Sequence, residues 1–346
     1  MKKLLLLFCF LTSYQVFFAQ EKEYTVACVA FYNLENLFDT INSPDTRDTE
    51  FTPNGKRLYG TAIYQEKLDN LSKVVSELGT AITPDGPALV GVAEIENRSV
   101  LEDFVKTDKL KARNYQIIHY DSPDKRGIDV GLLYQEKYFK PLSSRPIKIN
   151  HVKKNGDTLF TRDILYVEGE LNQERIHILV NHWPSRRGGE RASRPLRNVV
   201  ADSCKAIVNR LEKENPDAKV IIMGDLNDDP ISPSVKKHLL AKRKKKEVKA
   251  GDMYNPYADL YRKGIGSNAY RDAWSLFDQI ILSRSFLDKD QTGFQFYKKK
   301  IYNKKFLIQK TGQYKGYPFR TYSGDSYSGG YSDHFPVFVY LIKAVN

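Results

Sequence analysis

Short apolar segments, separated by Gly, Pro, Asn and Asp, run through the whole chain. Two longer segments instead repeat apolar residues at helical spacing and predict amphipathic helices over Tyr64–Leu78, which ends at Gly79, and over Leu196–Leu211. The short segments are rich in Val, Ile and aromatic residues, which predicts strands. Nine such strands are predicted: Thr25–Tyr32, Ala88–Ala93, Tyr115–Tyr120, Asp129–Tyr134, Ile164–Leu171, Arg175–Asn181, Lys219–Met223, Gln279–Leu282 and Val337–Ile342.

This ratio of strands to helices indicates an α+β protein. Two sheets packed face to face, with the helices outside them, would bury the apolar side of every element. The chain has 346 residues, no internal repeat and no long linker, so a single domain over residues 20–346 is predicted. With 41% hydrophobic and 12% aromatic residues, the composition excludes a disordered chain.

Residues 1–19 have the pattern of a signal peptide. Lys2 and Lys3 precede the apolar run Leu4–Leu11, and Ala19 offers a small residue for cleavage. The alternative interpretation is a membrane anchor, for which the run is short. We therefore expect the protein to be exported, either to the periplasm or fully out of the cell. An oxidising compartment would allow a disulfide between Cys28 and Cys204, although two buried free thiols are the simpler interpretation.

Polar side chains cluster where the predicted strands end. Asn33 and Glu35 lie two residues apart, so they would share one face of a continuing strand, and Glu94 directly follows the second strand. Two further clusters are Gly224-Asp225-Leu226-Asn227 and Ser332-Asp333-His334. Each cluster alone fits a turn or a helix cap. Together they supply the oxygen ligands that suit Mg²⁺, Mn²⁺ or Ca²⁺.

His182 also ends a predicted strand, next to Trp183. A metal ion and histidines would neutralise the phosphate of a phosphoester while an Asp takes the proton from attacking water. The alternative interpretation of His182 is a core histidine packed on Trp183. Arg186 follows closely, and its guanidinium fits the geometry of a phosphate, so we expect it in the site.

The order of these motifs along the chain resembles the endonuclease/exonuclease/phosphatase superfamily. The resemblance rests on Asn33 and Glu35, Glu94, Asp225-Leu226-Asn227, Asp278 and Ser332-Asp333-His334, and it spans Val26 to Val339. The segments Phe31–Asp39 and Asn181–Arg186 look more like the exported bacterial branch of the superfamily than its repair enzymes. The resemblance implies a four-layer α/β/β/α sandwich and metal-dependent phosphoester hydrolysis with Mg²⁺ or Mn²⁺, and Ca²⁺ as a possible addition.

The resemblance also implies which residues would hold the metal. Glu94 would be the principal ligand, with Asn33 and Glu35 beside it and Asp333 as a further ligand. Glu96 is a rival for Glu94, because a shift of two residues keeps the same face of the strand.

The remaining roles concern water and phosphate. Asp225 would orient or deprotonate the water, and Asn227 would contact the phosphate or the metal. Asp333 would polarise His334, which would hydrogen-bond a scissile phosphate oxygen. Asp278 would pair with the other catalytic histidine, His182, while Gln279 after it would point away. The predicted substrate contacts are Arg186, Asp129 and Asn181.

The net charge of +12, from 54 Lys and Arg against 42 Asp and Glu, favours an anionic partner. Much of the excess lies in Arg186–Arg197, Lys236–Lys249 and Lys298–Lys305. Such runs are either solvated loops or contacts to phosphates. Because they flank the catalytic motifs in sequence, they predict a phosphate-binding rim.

Three functions are consistent with these features. The favoured one is an exported nuclease that binds the phosphates of DNA or RNA and acts as a monomer without a stable protein partner. A phospholipid or sugar-phosphate phosphoesterase, similar to a sphingomyelinase, would use the same site. The aromatic segments Tyr314–Phe319 and Tyr322–Tyr331 would then contact a membrane, although they could equally stack on nucleobases. A non-catalytic binding protein is disfavoured because no catalytic position has been replaced.

Overall fold

The structure, a computed structural model, describes residues 23–149, 160–288 and 293–345. The predicted signal peptide, residues 1–19, lies outside the described residues. The helices are α1 (Thr61–Glu77), α2 (Arg98–Lys106), α3 (Glu190–Glu214) and the short α4 (Ala258–Tyr261). The strands are β1 (Tyr24–Leu37), β2 (Leu89–Ile95), β3 (Tyr115–His119), β4 (Asp129–Gln135), β5 (Phe139–Ile147), β6 (Ile164–Leu171), β7 (Glu174–His182), β8 (Lys219–Asp225), β9 (Ala241–Lys242), β10 (Met253–Tyr254), β11 (Asn268–Tyr270), β12 (Ala273–Ser275), β13 (Asp278–Ser283), β14 (Gln295–Ile301), β15 (Tyr322–Ser323), β16 (Ser326–Tyr327) and β17 (Val337–Ala344).

Two large mixed sheets form the centre of the fold. The first has six strands in the order β14-β17-β1-β2-β4-β3, and the second has seven in the order β5-β6-β7-β8-β13-β10-β9. Pairing is antiparallel except between β1 and β2, between β7 and β8, and between β9 and β10. Both sheets are therefore mostly antiparallel.

The helices lie outside the sheets, which pack against each other. Leu68, Leu71 and Val75 of α1 join the main core cluster with residues of both sheets. Val200 and Val208 of α3 belong to a second core cluster with β7 and β8. The order of layers is α/β/β/α, and the fold is the predicted four-layer sandwich.

All nine predicted strands and both predicted helices are present. The structure adds α2, α4, β5, β14 and the short strands β9, β10, β11, β12, β15 and β16, which the sequence pattern did not reveal. β5 carries Pro141 and Pro146, and β14 is mostly lysine on its exposed face. Both are edge strands, where proline and lysine are tolerated because one side needs no partner.

Bulges break the strand alternation where β1 and β2 end. The register between β1 and β2 shifts between Asn33 and Leu37, and that between β2 and β4 shifts between Ala93 and Ile95. Glu35 and Glu94 adopt positive φ angles of 49° and 59° at these points. Since a bulge re-aims side chains, the expectation that Asn33 and Glu35 share one face is wrong.

The two cysteines are free and buried. Cys28 belongs to the main core cluster and Cys204 to the cluster beneath α3. Burial raises the pKa of both thiols well above the ordinary value. The interpretation as two buried free thiols is therefore confirmed.

The basic segments do not form one rim around the catalytic motifs. Arg186, Arg194 and Arg197 form ion pairs with acidic residues of the chain itself. The two lysine runs, Lys236–Lys249 and Lys298–Lys305, instead meet at the edge strands of the two sheets. There, burial and the charge of Lys299 lower the pKa of Lys245. Strand β14 there lies beside the part of β17 that follows His334. Among the described helices, none is long and apolar enough to cross a membrane.

Candidate active site

The predicted site residues converge at one edge of the sandwich. The parallel pairs β1–β2 and β7–β8 end there, while β13 and β17 begin there. Gly224 allows the close approach of β8 to β7, because a Cβ atom at this position would lie 2.2 Å from the backbone oxygen of Asn181. Both sheets therefore contribute side chains to one space.

Asp225 lies at the centre of this space and is 2% exposed. Its Oδ2 accepts a hydrogen bond from Asn33 Nδ2 at 3.1 Å, and its Oδ1 accepts one from the Asn227 backbone N–H at 2.9 Å. Burial raises the pKa of Asp225 to about 7; the nearby charge of His334 lowers it, and that of Asp278 raises it. The carboxyl is thus poised to exchange a proton near neutrality.

His334 pairs with Asp278, and this corrects the pairing inferred from the resemblance. His334 Nδ1 lies 2.6 Å from Asp278 Oδ2, which also accepts a hydrogen bond from Ser267 Oγ. Burial alone would lower the pKa of His334, but the carboxylates of Asp278 and Asp225 outweigh it and hold that pKa well above the usual value. The protonated form of His334 is therefore favoured, and its Nε2 lies 3.9 Å from Asp225 Oδ2.

Asp333 does not orient His334. Its Oδ2 accepts a hydrogen bond from Arg320 at 3.0 Å, and its Oδ1 is 3.9 Å from His334 Nε2. Ser332 instead fixes the histidine backbone, because its Oγ accepts from the His334 N–H and donates to the Asn33 backbone oxygen.

His182 and Glu94 complete the space around Asp225. His182 Nε2 lies 3.7 Å from Glu94 Oε1 and 3.6 Å from Asp225 Oδ2. Burial and the nearby Arg162 lower the pKa of His182 well below its ordinary value, so the ring is neutral. Its Nδ1 is buried without a hydrogen-bond partner among the described residues. His182 therefore belongs to the site and is not simply a core residue packed on Trp183.

The structure favours Glu94 over Glu96 as the carboxylate that faces the site. Glu96 accepts hydrogen bonds from the Asp39 N–H and the Ser43 hydroxyl. These contacts hold the loop that follows β1. Glu94 accepts from the Asn36 N–H through Oε2 and turns Oε1 toward His182.

Glu35 is turned away from Asn33 toward another loop. Its Oε2 accepts a hydrogen bond from the Thr321 N–H at 2.8 Å. The buried ammonium of Lys67 donates to the Glu35 backbone oxygen and to Thr321 Oγ1, both at 2.7 Å. Burial and the charge of Asp333 raise the pKa of Glu35 to about 7. Glu35 therefore ties the loop before His334 to β1.

The predicted substrate contacts are engaged by the protein itself. Asn181 is fully buried, and its side chain bonds Trp183 Nε1, Cys204 Sγ and two backbone oxygens. Asp129 is held by His119 and Ser122. The structure thus gives Asn181 a structural role and holds both carboxylate oxygens of Asp129 in hydrogen bonds with His119 and Ser122.

Arg186 braces the loop that carries Asp225 and Asn227. Its guanidinium bonds Asp228, Asp229 and the Asn227 backbone oxygen. Asn227 in turn donates to the Trp183 backbone oxygen at 2.9 Å. Gln279 points away from the site as expected and donates to the Asp228 backbone oxygen. These contacts position the loop and leave Arg186 paired with acids.

Sequence reasoning missed Lys67, Arg162, Ser267 and Arg320. Arg162 donates to the backbone oxygens of His182 and Trp183 and pairs with Asp124 at 2.7 Å. These residues carry no motif of their own. A lysine within the apolar stripe of the first predicted helix was the one available signal, since Lys67 precedes Leu68.

Comparison of the sequence with models of protein families shows which family the chain belongs to. It is described as the Endonuclease/Exonuclease/phosphatase family, and it matches residues 28–343. The chain belongs to this family. The superfamily consists of phosphoric ester hydrolases, which supports hydrolase activity for this member. A search among curated proteins finds no match.

Solved structures of the family share the fold at low sequence identity. An endonuclease/exonuclease/phosphatase family protein from Bacteroides thetaiotaomicron is 16% identical, with 94% of this chain and 100% of that chain covered and a TM-score of 0.54. A mannosyl-6-phosphatase from the same species is 16% identical, with 91% and 99% covered and a TM-score of 0.54. D. rerio TDP2 in complex with a single-stranded DNA product is 14% identical, with 92% and 99% covered and a TM-score of 0.52.

Enzymes of the endonuclease/exonuclease/phosphatase family depend on divalent metal ions. The donor chemistry here fits such an ion, because carboxylate oxygens of Glu94 and Asp225 lie 3.7 and 3.6 Å from His182 Nε2. Asn33 turns its Nδ2 toward Asp225, while its Oδ1 accepts from the Glu35 N–H and is a further oxygen ligand beside them. The carboxylates of Asp278 and Glu94 raise the pKa of Asp225, a repulsion that a cation would offset. A second group that could hold a metal, His119, Asp121 and Asp129, lies on β3, β4 and their connecting loop.

Replacing Asp278 should change the titration of His334. We expect Asp278→Asn to lower the His334 pKa by at least about one unit, because it removes the closest negative charge. Asp333→Asn should lower it less, since that carboxylate is farther from the ring and 31% exposed. NMR titration of the imidazole in metal-free protein measures both. A larger effect of Asp333→Asn would contradict the observed pairing.

Proposed function

We propose that the protein is an exported, divalent-metal-dependent phosphodiesterase that hydrolyses nucleic acid. The observation that carries this proposal is the arrangement around Asp225. A carboxyl with a pKa of about 7 lies between a cationic histidine and a neutral one, His334 and His182, with Glu94 beside it. General-base, electrostatic and metal-binding groups thus meet at one point.

Each group has a role in this reaction. Asp225 accepts the proton of the attacking water, and Asn33 fixes the orientation of its carboxylate. His334 donates a hydrogen bond from Nε2 to a phosphate oxygen, and Asp278 keeps it charged. Glu94 and Asn33 would hold the metal ion, which would supply positive charge to offset the charge that develops on the phosphate.

Arginine side chains near the candidate site are already paired with carboxylates of the protein, and this supports a diester substrate. Arg162 pairs with Asp124, Arg320 with Asp333, and Arg126 lies 3.6 Å from Asp124. A phosphomonoester carries about one charge more than a diester near pH 7 and would require further unpaired cations. The net charge of +12 supports a polymeric polyanion.

A phospholipid or sugar phosphate is the alternative substrate. A lipid substrate would require an aromatic hairpin free to enter the membrane. In the β15–β16 hairpin Tyr322 is 5% exposed, Tyr327 is 36% exposed, and Arg57 donates to the Gly324 backbone oxygen. One of the two aromatic rings of this hairpin is therefore packed on the protein, which favours a water-soluble substrate over a lipid.

The metal assignment is tested by a matched pair of glutamates. We expect Glu94→Gln to lower kcat/KM by about 100-fold or more and to abolish the rise in melting temperature caused by Mg²⁺. Glu96→Gln should keep both, because Glu96 contacts only the loop after β1. Equal losses in the two variants, or full activity in excess EDTA, would overturn the assignment.

Substrate class is tested with plasmid DNA, RNA, sphingomyelin, inositol phosphates and a generic diester. We expect cleavage of nucleic acid that needs Mg²⁺ or Mn²⁺ and falls by about 100-fold or more in His334→Ala. His238→Ala, at a partly exposed histidine paired with Asp202, is the control. A plasmid that stays intact while a lipid or a sugar phosphate is hydrolysed would refute the nuclease proposal.

Export is proposed from the N-terminal pattern of residues 1–19. Expression in a bacterial host should yield a mature protein outside the cytoplasm whose N-terminal sequence begins at Gln20. A protein retained in the membrane with Met1 intact would support an anchor instead.

A further inference from the structure

A pocket of about 360 Å³ opens beside the candidate active site. It lies between the β11–β12 hairpin and the segment before Arg320. Its lining includes Tyr270, Arg271 and Asp272 from the hairpin, and Tyr314, Tyr317 and Arg320 from the segment. The volume lies within the range of small-ligand sites, roughly 300–1,000 Å³.

The pocket adjoins the residues that act on the phosphate. Arg320, one of its lining residues, bonds Asp333, the neighbour of His334 in the chain. Trp274 of β12 stacks on Phe335 on the other side of His334, with ring centroids 5.9 Å apart. Trp274 also contacts Tyr317 of the pocket at 6.2 Å. A group bound in the pocket would therefore be held close to the reacting phosphate.

The walls of the pocket are fixed by specific contacts. Arg271 and Asp272 form the hairpin turn with φ angles of 48° and 60°, a region that residues other than Gly and Asn rarely adopt. Tyr317 holds this turn, because its hydroxyl donates to Asp272 Oδ1 at 2.7 Å and accepts from the Asp272 N–H at 2.6 Å. The two walls of the pocket are thus tied together.

The lining combines aromatic faces with guanidinium groups. Tyr270 is 69% exposed, so its ring is accessible to a ligand. The Arg320 guanidinium lies 5.7 Å from the ring centroid of Tyr314, and that of Arg271 lies 5.2 Å from the ring of Tyr270. Aromatic faces stack on planar bases, and guanidinium groups stack on bases or bind phosphates.

We propose that this pocket is a subsite that stacks a nucleobase of the substrate next to the scissile phosphate. The proposal rests on the phosphodiesterase function and adds to it the residues that recognise the substrate beside the phosphate. A lipid chain fits poorly, because the pocket wall carries the charges of Arg271, Asp272 and Arg320. A sugar ring is the competing ligand, and the experiment separates the two.

The test compares two diesters that share a leaving group. One is the p-nitrophenyl ester of thymidine 5′-phosphate, and the other is methyl p-nitrophenyl phosphate, which has no base. Because stacking of one base contributes about 1–3 kcal/mol, wild-type kcat/KM should favour the thymidine ester by roughly 5- to 150-fold. Tyr270→Ala and Tyr314→Ala should each reduce that preference about fivefold or more through KM and leave the methyl diester unchanged.

Two variants serve as controls. Tyr270→Phe keeps the aromatic face and should keep the preference. Tyr297→Ala removes a tyrosine of β14 that is 43% exposed, and it should behave as wild type. Equal losses on both diesters, or no preference in the wild type when both are hydrolysed, would overturn the subsite.

A binding measurement separates this proposal from the function on which it rests. Trp274 adjoins the pocket, so its fluorescence should change on titration with thymidine 5′-monophosphate in EDTA. The change should weaken in Tyr270→Ala. If neither diester is hydrolysed but the nucleotide binds in this way, the phosphodiesterase proposal fails and the subsite stands. Binding of mannose 6-phosphate but not of the nucleotide would identify a sugar site and refute the base-stacking subsite.

Discussion

The hydrogen bond from Asn33 to Asp225 joins the two sheets at the edge where the chemistry is proposed. Asn33 belongs to β1 of one sheet and Asp225 to β8 of the other, and both are almost fully buried. A carboxylate removed from water needs such donors, because an unpaired buried charge is strongly destabilising. The face-to-face packing of the sheets therefore sets both the position of Asp225 and its raised pKa.

The site depends on contacts that lie outside it. Lys67 of α1 bonds Glu35 and Thr321, and thereby fixes the loop before His334. Arg197 of α3 is fully buried with Asp228 at 2.8 Å, which fixes the loop after Asp225. Helices α1 and α3 thus each supply a buried cation that holds a loop of the candidate site. The outer layers therefore support the candidate site as well as cover the sheets.

The sequence predicted the layers and most of the elements because apolar periodicity reports burial. It failed at β5 and β14, where proline or lysine on an edge strand hides the alternation. It also failed to predict which histidine pairs with Asp278. The structure pairs Asp278 with His334, which lies 56 residues away in the chain, and not with His182. Spacing along a chain carries no information on which of two histidines a distant carboxylate will meet.

The sequence alone determined which functional groups this family member has available for its candidate site. Carboxylates, an asparagine and two histidines at strand ends indicated a metal-assisted phosphoesterase before any contact was known. Only the tertiary structure decided their states. It turned Glu35 away through a bulge, paired Arg186 with acids, raised the pKa of His334 and lowered that of His182. Protonation and orientation depend on burial and on neighbours within a few ångströms, which the fold brings together from distant parts of the chain.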